Sequence, residues 1–387
     1  MNHNAEYVLG RARFPTLALT AWLFIFVLWS AQAAEITVPR LEMASRGAAT
    51  DGEFALSSLI SADIALTGGY KYAFLLGFNL DAPDIGVSSL NNQPILTFRI
   101  AKATAQDLFG LPLELSYFLG SADNFCSGDE FSSRFGLSPI GTDFRGFFYF
   151  PEGIKNMPTW RYDGIYGVRG TGFSLGFTKW DSFVPMLYLY QDFSSFDLSS
   201  EKKLYSGDLR LLFSHGLLNL ETFGGISLNS SMDTSVRLGF MIHLAAGNGA
   251  EFFAQGGVPG WTKGEEFGID NVFFLIEPRL HFGLFGIYIT FFYHPAEYIH
   301  IPTGEQGMAD INVKFQYGNA DSGVSGGIEV GGNLNTHDST DFVLRLSPFI
   351  SFISGGLRWD TKILVKPLDY DSPEKMFELF IGIRTGF

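Results

Sequence analysis

The sequence predicts an all-β protein, a transmembrane antiparallel up-and-down β-barrel of about 16–18 strands (range 14–20). Three observations predict it. Of 387 residues, 46% are hydrophobic and 16% aromatic, while only 17% are charged, below the roughly 25% of ordinary soluble domains. Yet past the first thirty residues no uncharged apolar run reaches the roughly 18 residues that a membrane helix needs. Apolar residues instead alternate with small, polar or charged ones, which is the period of a strand with two unlike faces.

Residues 1–33 read as a secretory signal peptide, with Arg11 and Arg13 before an apolar stretch from Leu17 to Trp29 and a small-residue cleavage pattern at Ala31, Gln32 and Ala33. Residues 34–69 are predicted as an N-terminal segment that is either a periplasmic plug or the first strands. Ile36 to Met43 suits a short strand and 44–52 has loop composition. Leu56, Ile60, Ile64 and Leu66 fit neither period.

Residues 70–387 are predicted as the barrel. Tyr70, Tyr72, Phe74, Leu76, Phe78 and Leu80 share one face, and Lys71, Ala73, Leu75, Gly77 and Asn79 the other. Leu96, Phe98 and Ile100 oppose Thr97 and Arg99, and Leu113, Leu115, Tyr117 and Leu119 oppose Glu114, Ser116 and Phe118. The pattern blurs at 121–142, a polar Gly-rich loop holding Cys126, and sharpens again where Val236, Leu238 and Phe240 oppose Arg237 and Met241. Ile276 opposes Glu277, and Ile311, Val313, Phe315 and Tyr317 oppose Asp310, Asn312 and Lys314. Phe342 and Leu344 oppose Arg345, while Trp359 and Ile363 oppose Arg358, Asp360 and Lys362. Counted back from the chain end, long connections fall near 366–374, 334–340, 295–307, 257–269 and 194–203. Short ones fall near 354–355, 318–321, His281, 247–249 and 215–216. Such alternation suits long extracellular loops and short periplasmic turns.

The last stretch sets Phe377, Leu379, Ile381, Ile383, Thr385 and Phe387 against Glu378, Phe380, Gly382 and Arg384. It resembles the closing strand of bacterial outer-membrane β-barrels, a porin-like class within which no single family is assigned. The resemblance implies that Phe387, with Thr385, Ile383 and Ile381, is the signal read by the barrel-assembly machinery. It further implies residence in the cell outer membrane, among its lipid.

Function follows from the other face. Arg99, Glu114, Arg237, Glu277, Asp310, Lys314, Arg345, Arg358, Asp360 and Lys362 lie opposite the lipid-type residues, where a charge facing lipid at midplane would cost about 2–4 kcal/mol. They are the candidate pore-lining set, and a porin-like passage for small solutes, selected by lumen charges and infolded loops, is the expected function. Two alternatives stay open. One is a surface barrel whose loops 121–142, 257–269 and 295–307 bind partner molecules. The other is a fatty-acid-type transporter with 34–69 as plug, against which the absence of an Asn-Pro-Ala hatch motif counts. No catalytic or metal motif is found; His294, Glu297 and His300 have no ligand spacing. No cofactor and no enzyme activity are expected. A net charge of −14 argues against nucleic acid; a homo-oligomer is compatible with the sequence.

Overall fold

A computed structural model describes residues 34–50, 53–83, 94–143, 164–178, 182–192, 205–228, 234–294, 297–298, 301–302, 308–319, 323–335, 342–371 and 376–385. Its barrel strands are β1 (Glu35–Thr50), β2 (Glu53–Gly68), β3 (Tyr72–Pro83), β4 (Ile95–Ala105), β5 (Leu113–Phe125), β6 (Tyr166–Phe177), β7 (Phe183–Asp192), β8 (Tyr205–His215) and β9 (Leu218–Leu228). They continue with β10 (Thr234–Ala246), β11 (Ala250–Thr262), β12 (Phe273–Phe282), β13 (Phe285–His294), β16 (Met308–Gly318), β17 (Val324–Asn335), β18 (Phe342–Ser354), β19 (Leu357–Val365) and β20 (Phe377–Thr385). Between β13 and β16 sit β14 (Glu297–Tyr298) and β15 (Ile301–Pro302), paired with each other. The other strands make one antiparallel sheet of 18, each bonded to its neighbour in chain order. β20 returns to β1, with Glu42 opposite Arg384 and Ala48 opposite Glu378. Closure lets backbone groups pair within the sheet, as a lipid-facing sheet must.

Cross-strand partners share a face, so the ladder separates outside from inside. Outward positions keep large apolar groups exposed, among them Leu189, Leu238, Phe240, Ile311, Phe315 and Ile350. Inward positions are buried and mixed: Met241, Phe273, Glu277, Asp310, Lys314 and Asp360. Aromatic pairs such as Tyr117 on Phe173 and Tyr317 on Phe285 brace neighbouring strands from outside.

The structure amends several expectations. Residues 35–68 are the first two barrel strands, so the described barrel runs from Glu35 to Thr385 rather than starting at 70. Small residues hid the period of β1, where Ala44, Ser45, Gly47, Ala48 and Ala49 leave both faces alike. A register shift between Thr37 and Arg40 moves its phase as well. In β2, Ser58 and Ala62 interrupt the outward row of Leu56, Ile60, Ile64 and Leu66, while Leu59 is fully buried on the inner side. β11 runs on to Thr262, so the expected 257–269 loop is 263–272, and His281 lies within β12, whose turn is at 283–284. Ile100 also changes sides. Between the pairs Gly77–Ile100 and Phe78–Phe98 the register slips, making Arg99 the extra residue of a β-bulge, and Ile100 is buried inside. Residues 1–33 and Phe387, with most of 295–307, lie outside the described residues.

Candidate functional site: the barrel interior

The chain after β5 turns into the barrel instead of leaving it. Cys126 takes a left-handed conformation, φ 60°, and Gly128 follows at φ 86°. A Cβ on Gly128 would lie 2.1 Å from the Ile140 carbonyl oxygen, so glycine is required where the two arms of the segment touch. A short helix, α1 (Asp129–Phe135), comes next. Asp129 and Glu130 occupy its positive end and Gly136, at φ 68°, ends it with an N–H to Ser132 O bond. Its faces differ: Phe131 is fully buried, whereas Ser132 and Ser133 are exposed.

The buried face packs on one arc of wall. Phe125, Phe131, Ile140 and Ile165 join Phe118, Tyr188, Leu212, Met241, Phe253, Phe273 and Phe292 in one apolar cluster. Phe125 lies 5.1 Å from the Phe223 ring and 5.3 Å from that of Tyr188. The greasy inner positions of β5 and β7–β13 are thus the seat of an infolded segment.

Charged wall residues pin the segment along its length. Glu221 accepts the Cys126 N–H at 2.5 Å and pairs with Arg210 at 2.8 Å, both side chains fully buried. Gln255 donates to the Cys126 carbonyl. Arg134 forks onto Glu114 at 3.0 and 2.6 Å and bonds Glu130 at 3.0 Å. Arg279 donates to the Gly141 carbonyl. Glu277 gathers four donors: Thr142 Oγ1 at 2.6 Å, Asp143 N at 3.0 Å, Arg279 Nε at 2.7 Å and Thr290 Oγ1 at 2.8 Å. Lys314 reaches Asp143 at 2.7 Å. The anchors therefore run from β5 through β9, β11 and β12 to β16.

These contacts set the charge states. Burial pushes the Cys126 thiol well above its ordinary range, and the nearby Glu221 adds to it. Burial also works to raise Glu130, but the guanidiniums of Arg210 and Arg134 outweigh it and hold the carboxyl below its usual value. Asp143 is likewise desolvated yet held low, by Lys314 before Arg279.

The remaining arc, β17–β20 and β1–β4, carries an ion-pair wall. Lys362 pairs with Glu329, Arg345 with Asp310 at 3.3 Å, and Arg46 and Lys366 with Glu378 at 2.8 Å each. Arg40 forks onto Asp63 at 2.9 and 2.7 Å. Arg358 and Arg384, directly opposite on β19 and β20, share Asp360 at 3.0 and 3.1 Å. Solvent reaches this wall and the segment facing it: Arg384 keeps 36% of its side chain exposed and Asp143 34%.

The ten residues singled out from sequence thus fall into three places. Glu114, Arg237 and Glu277 lie in the packed arc, Arg237 bonded to Asp208 at 2.6 Å with its guanidinium 4.4 Å over the Tyr166 ring. Asp310, Lys314, Arg345, Arg358, Asp360 and Lys362 lie on the solvated wall or at its border. Arg99 sits at the β4 bulge. Asp208, Arg210 and Glu221 were missed, although they alternate with Leu209, Leu211 and Thr222 and were open to the same reading. Arg134 and Asp143 had no signal, because loop residues carry no period.

No family model and no curated protein matches the chain. Among solved structures, OccAB3 of Acinetobacter baumannii is similar with a TM-score of 0.50 at 9% identity, over 92% of this chain and 98% of that one. Two mutants of Rh. blastica porin give TM-scores of 0.47 and 0.48 at 11% and 10% identity, each over 91% of this chain and 100% of its own. At such identities the OccAB3 likeness is one of fold.

Proposed function

We propose that this chain is an outer-membrane channel for small polar solutes, narrowed by residues 126–143, rather than an enzyme. One observation carries the reading: inside the closed barrel, Arg384 of the ion-pair arc and Asp143 of the infolded segment keep 36% and 34% of their side chains exposed. On one side stand the acidic start of α1 and Asp143; on the other stand Arg345, Arg358 and Arg384. Charges of opposite sign across a narrow, low-dielectric passage make a transverse field, which orients dipolar solutes and sorts ions. The band of exposed Leu, Ile and Phe on the outer face fits lipid, since water would disfavour an apolar surface of that extent. We assign export to residues 1–33 and assembly to the last strand. Thr385 there already ties to Leu41 of β1, accepting its N–H at 3.1 Å.

The test is single-channel conductance of refolded protein in a planar bilayer. Stable steps are expected, with an anion preference that falls in Arg345→Ala or Arg358→Ala. Silence from protein whose heat-modifiable gel mobility proves it folded would overturn the channel reading.

A further inference from the structure

Most basic side chains of the inner wall have a committed partner. Arg40, Arg46, Lys314, Arg345, Lys362 and Arg384 each meet a carboxylate within 4.0 Å. Among the described residues two on β4 differ: Arg99 and Lys102 make neither an ion pair nor a hydrogen bond, and both are half-buried on the inner side. The carboxylates nearest Lys102 are engaged elsewhere. Asp123 accepts the Tyr188 hydroxyl at 2.7 Å and lies 3.8 Å from Arg210, and Glu130 takes Arg134 at 3.0 Å.

Local structure builds this arrangement. Lys102 and Thr104 face inward by strand alternation, across from Phe118 and Ser116 on β5. Counted back from the inward Ile100 and Lys102, Arg99 would point outward; as the extra residue of the bulge it keeps the inward side it shares with Thr97. Its guanidinium then lies over Gly77, where a Cβ would stand 3.2 Å from both Nε and Nη2. Arg99 Nε is buried with no acceptor. A shielded donor without an acceptor costs about 1–3 kcal/mol, so a cation held this way is a site awaiting a counter-charge.

We infer that Arg99 and Lys102 form an oxyanion subsite in the passage, which takes a small solute by its carboxylate or phosphate group. The inference rests on the channel reading and names the solute chemistry that the passage favours. Guanidinium and ammonium donors make charge-assisted bonds to either group. Neither cation lies within 4.0 Å of a carboxylate, so removing them breaks no ion pair; Lys102 adds only longer-range attraction to Asp123 and Glu130, whose closer partners remain.

The experiment measures chloride current through single channels while inorganic phosphate, or succinate in a separate series, is added. In the wild type either anion should reduce the current with a saturating dependence, and the ratio of the two half-blocking concentrations separates phosphate from carboxylate preference. In Arg99→Gln/Lys102→Gln the half-blocking concentration should rise about tenfold or more, the loss expected for charge-assisted bonds. Lys71→Gln, on the exposed β2–β3 turn, should leave it unchanged. A conducting wild type with no block, or equal block in the double variant, overturns the subsite and leaves the channel standing. If the double variant fails the gel-mobility check, each single variant must show part of the rise or the subsite is refuted. A folded but silent wild type refutes the channel. The subsite then stands only if phosphate raises the unfolding temperature of detergent-solubilised wild type but not of the double variant.

Discussion

Glu277 is the anchor whose removal should speak most clearly. It is fully buried and holds the far end of the infolded segment through Thr142 and Asp143, while balancing Arg279. Glu277→Gln keeps the shape. Its amide oxygen must take the Oε1 position, because Asp143 N–H and Arg279 can only donate. At the Oε2 position the hydroxyls of Thr142 and Thr290 can rotate and accept from the new NH2 group. Two bonds therefore survive in altered form, and the main loss is Arg279's counter-charge, about 1.5–3 kcal/mol. Glu277→Leu removes every acceptor at this position and leaves Arg279 with Glu251, 3.5 Å away, as its remaining ion-pair partner, which puts the cost at about 3–5 kcal/mol. Release of the segment should then rise roughly ten- to a hundredfold for Gln and more than a hundredfold for Leu. Single-channel recording reads this as brief excursions to a larger conductance, rarer in Gln than in Leu. Leu-variant channels with normal heat-modifiable mobility and traces as quiet as wild type would refute the claim that this carboxylate holds the segment.

Two further predictions concern the same segment. Cys126, the only cysteine in the sequence, is fully buried with its thiol pushed up, so maleimide should label it slowly in the folded barrel. Glu221→Gln, which loosens the Cys126 N–H anchor and removes the nearest counter-charge of Arg210, should speed labelling at least tenfold; an unchanged rate would contradict that anchoring. Acidity should act late. Glu130 and Asp143 are held below their ordinary values, so their contribution is complete above about pH 4 and fades as pH falls from there through the depressed values. Quiet conductance should persist at pH 5 and become noisy only below about pH 4; noise beginning near pH 6 would show that other groups govern the segment.

Legibility in the sequence followed residue contrast across the strand. Where outward Phe and Leu met inward Asp, Arg or Lys, as in β16 and β19, alternation gave the face of each residue. Where both faces were small, as in β1, or where Leu59 entered the inner row of β2, the same rule had nothing to work on. Bulges act in a different way from composition, because one inserted residue reverses the assignments beyond it. Arg99 was placed inside by plain alternation, with Ile100 outside; the structure puts both inside through a slip that no periodicity reports. The infolded segment was the least legible part. Its anchors are contacts between a loop and strands up to 171 residues away, set by tertiary geometry alone.

The infolded segment also accounts for the mixed inner wall. A barrel of 18 strands encloses more space than its own side chains can fill, and a uniformly polar lining would leave that space to water. Here the inner face is divided by arc. Phe118, Met241, Phe253, Phe273 and Phe292 are buried in one cluster with Phe131 and Ile140 of the segment, so the apolar arc and the segment cover each other. The burial contributes by area, at about 25 cal/mol per Å², but it is non-directional and would tolerate sliding. Position along the wall falls to the directional contacts, the Arg134–Glu114 fork and the Glu277 cluster, which fix how far the segment reaches toward the arginines opposite. On this division of labour, thinning the apolar seat, as in Phe273→Ala, should lower thermal stability without changing ion preference. Moving a charged anchor should change the passage while the barrel stays folded. A variant set in which stability and selectivity always moved together would show that the two arcs are not separable.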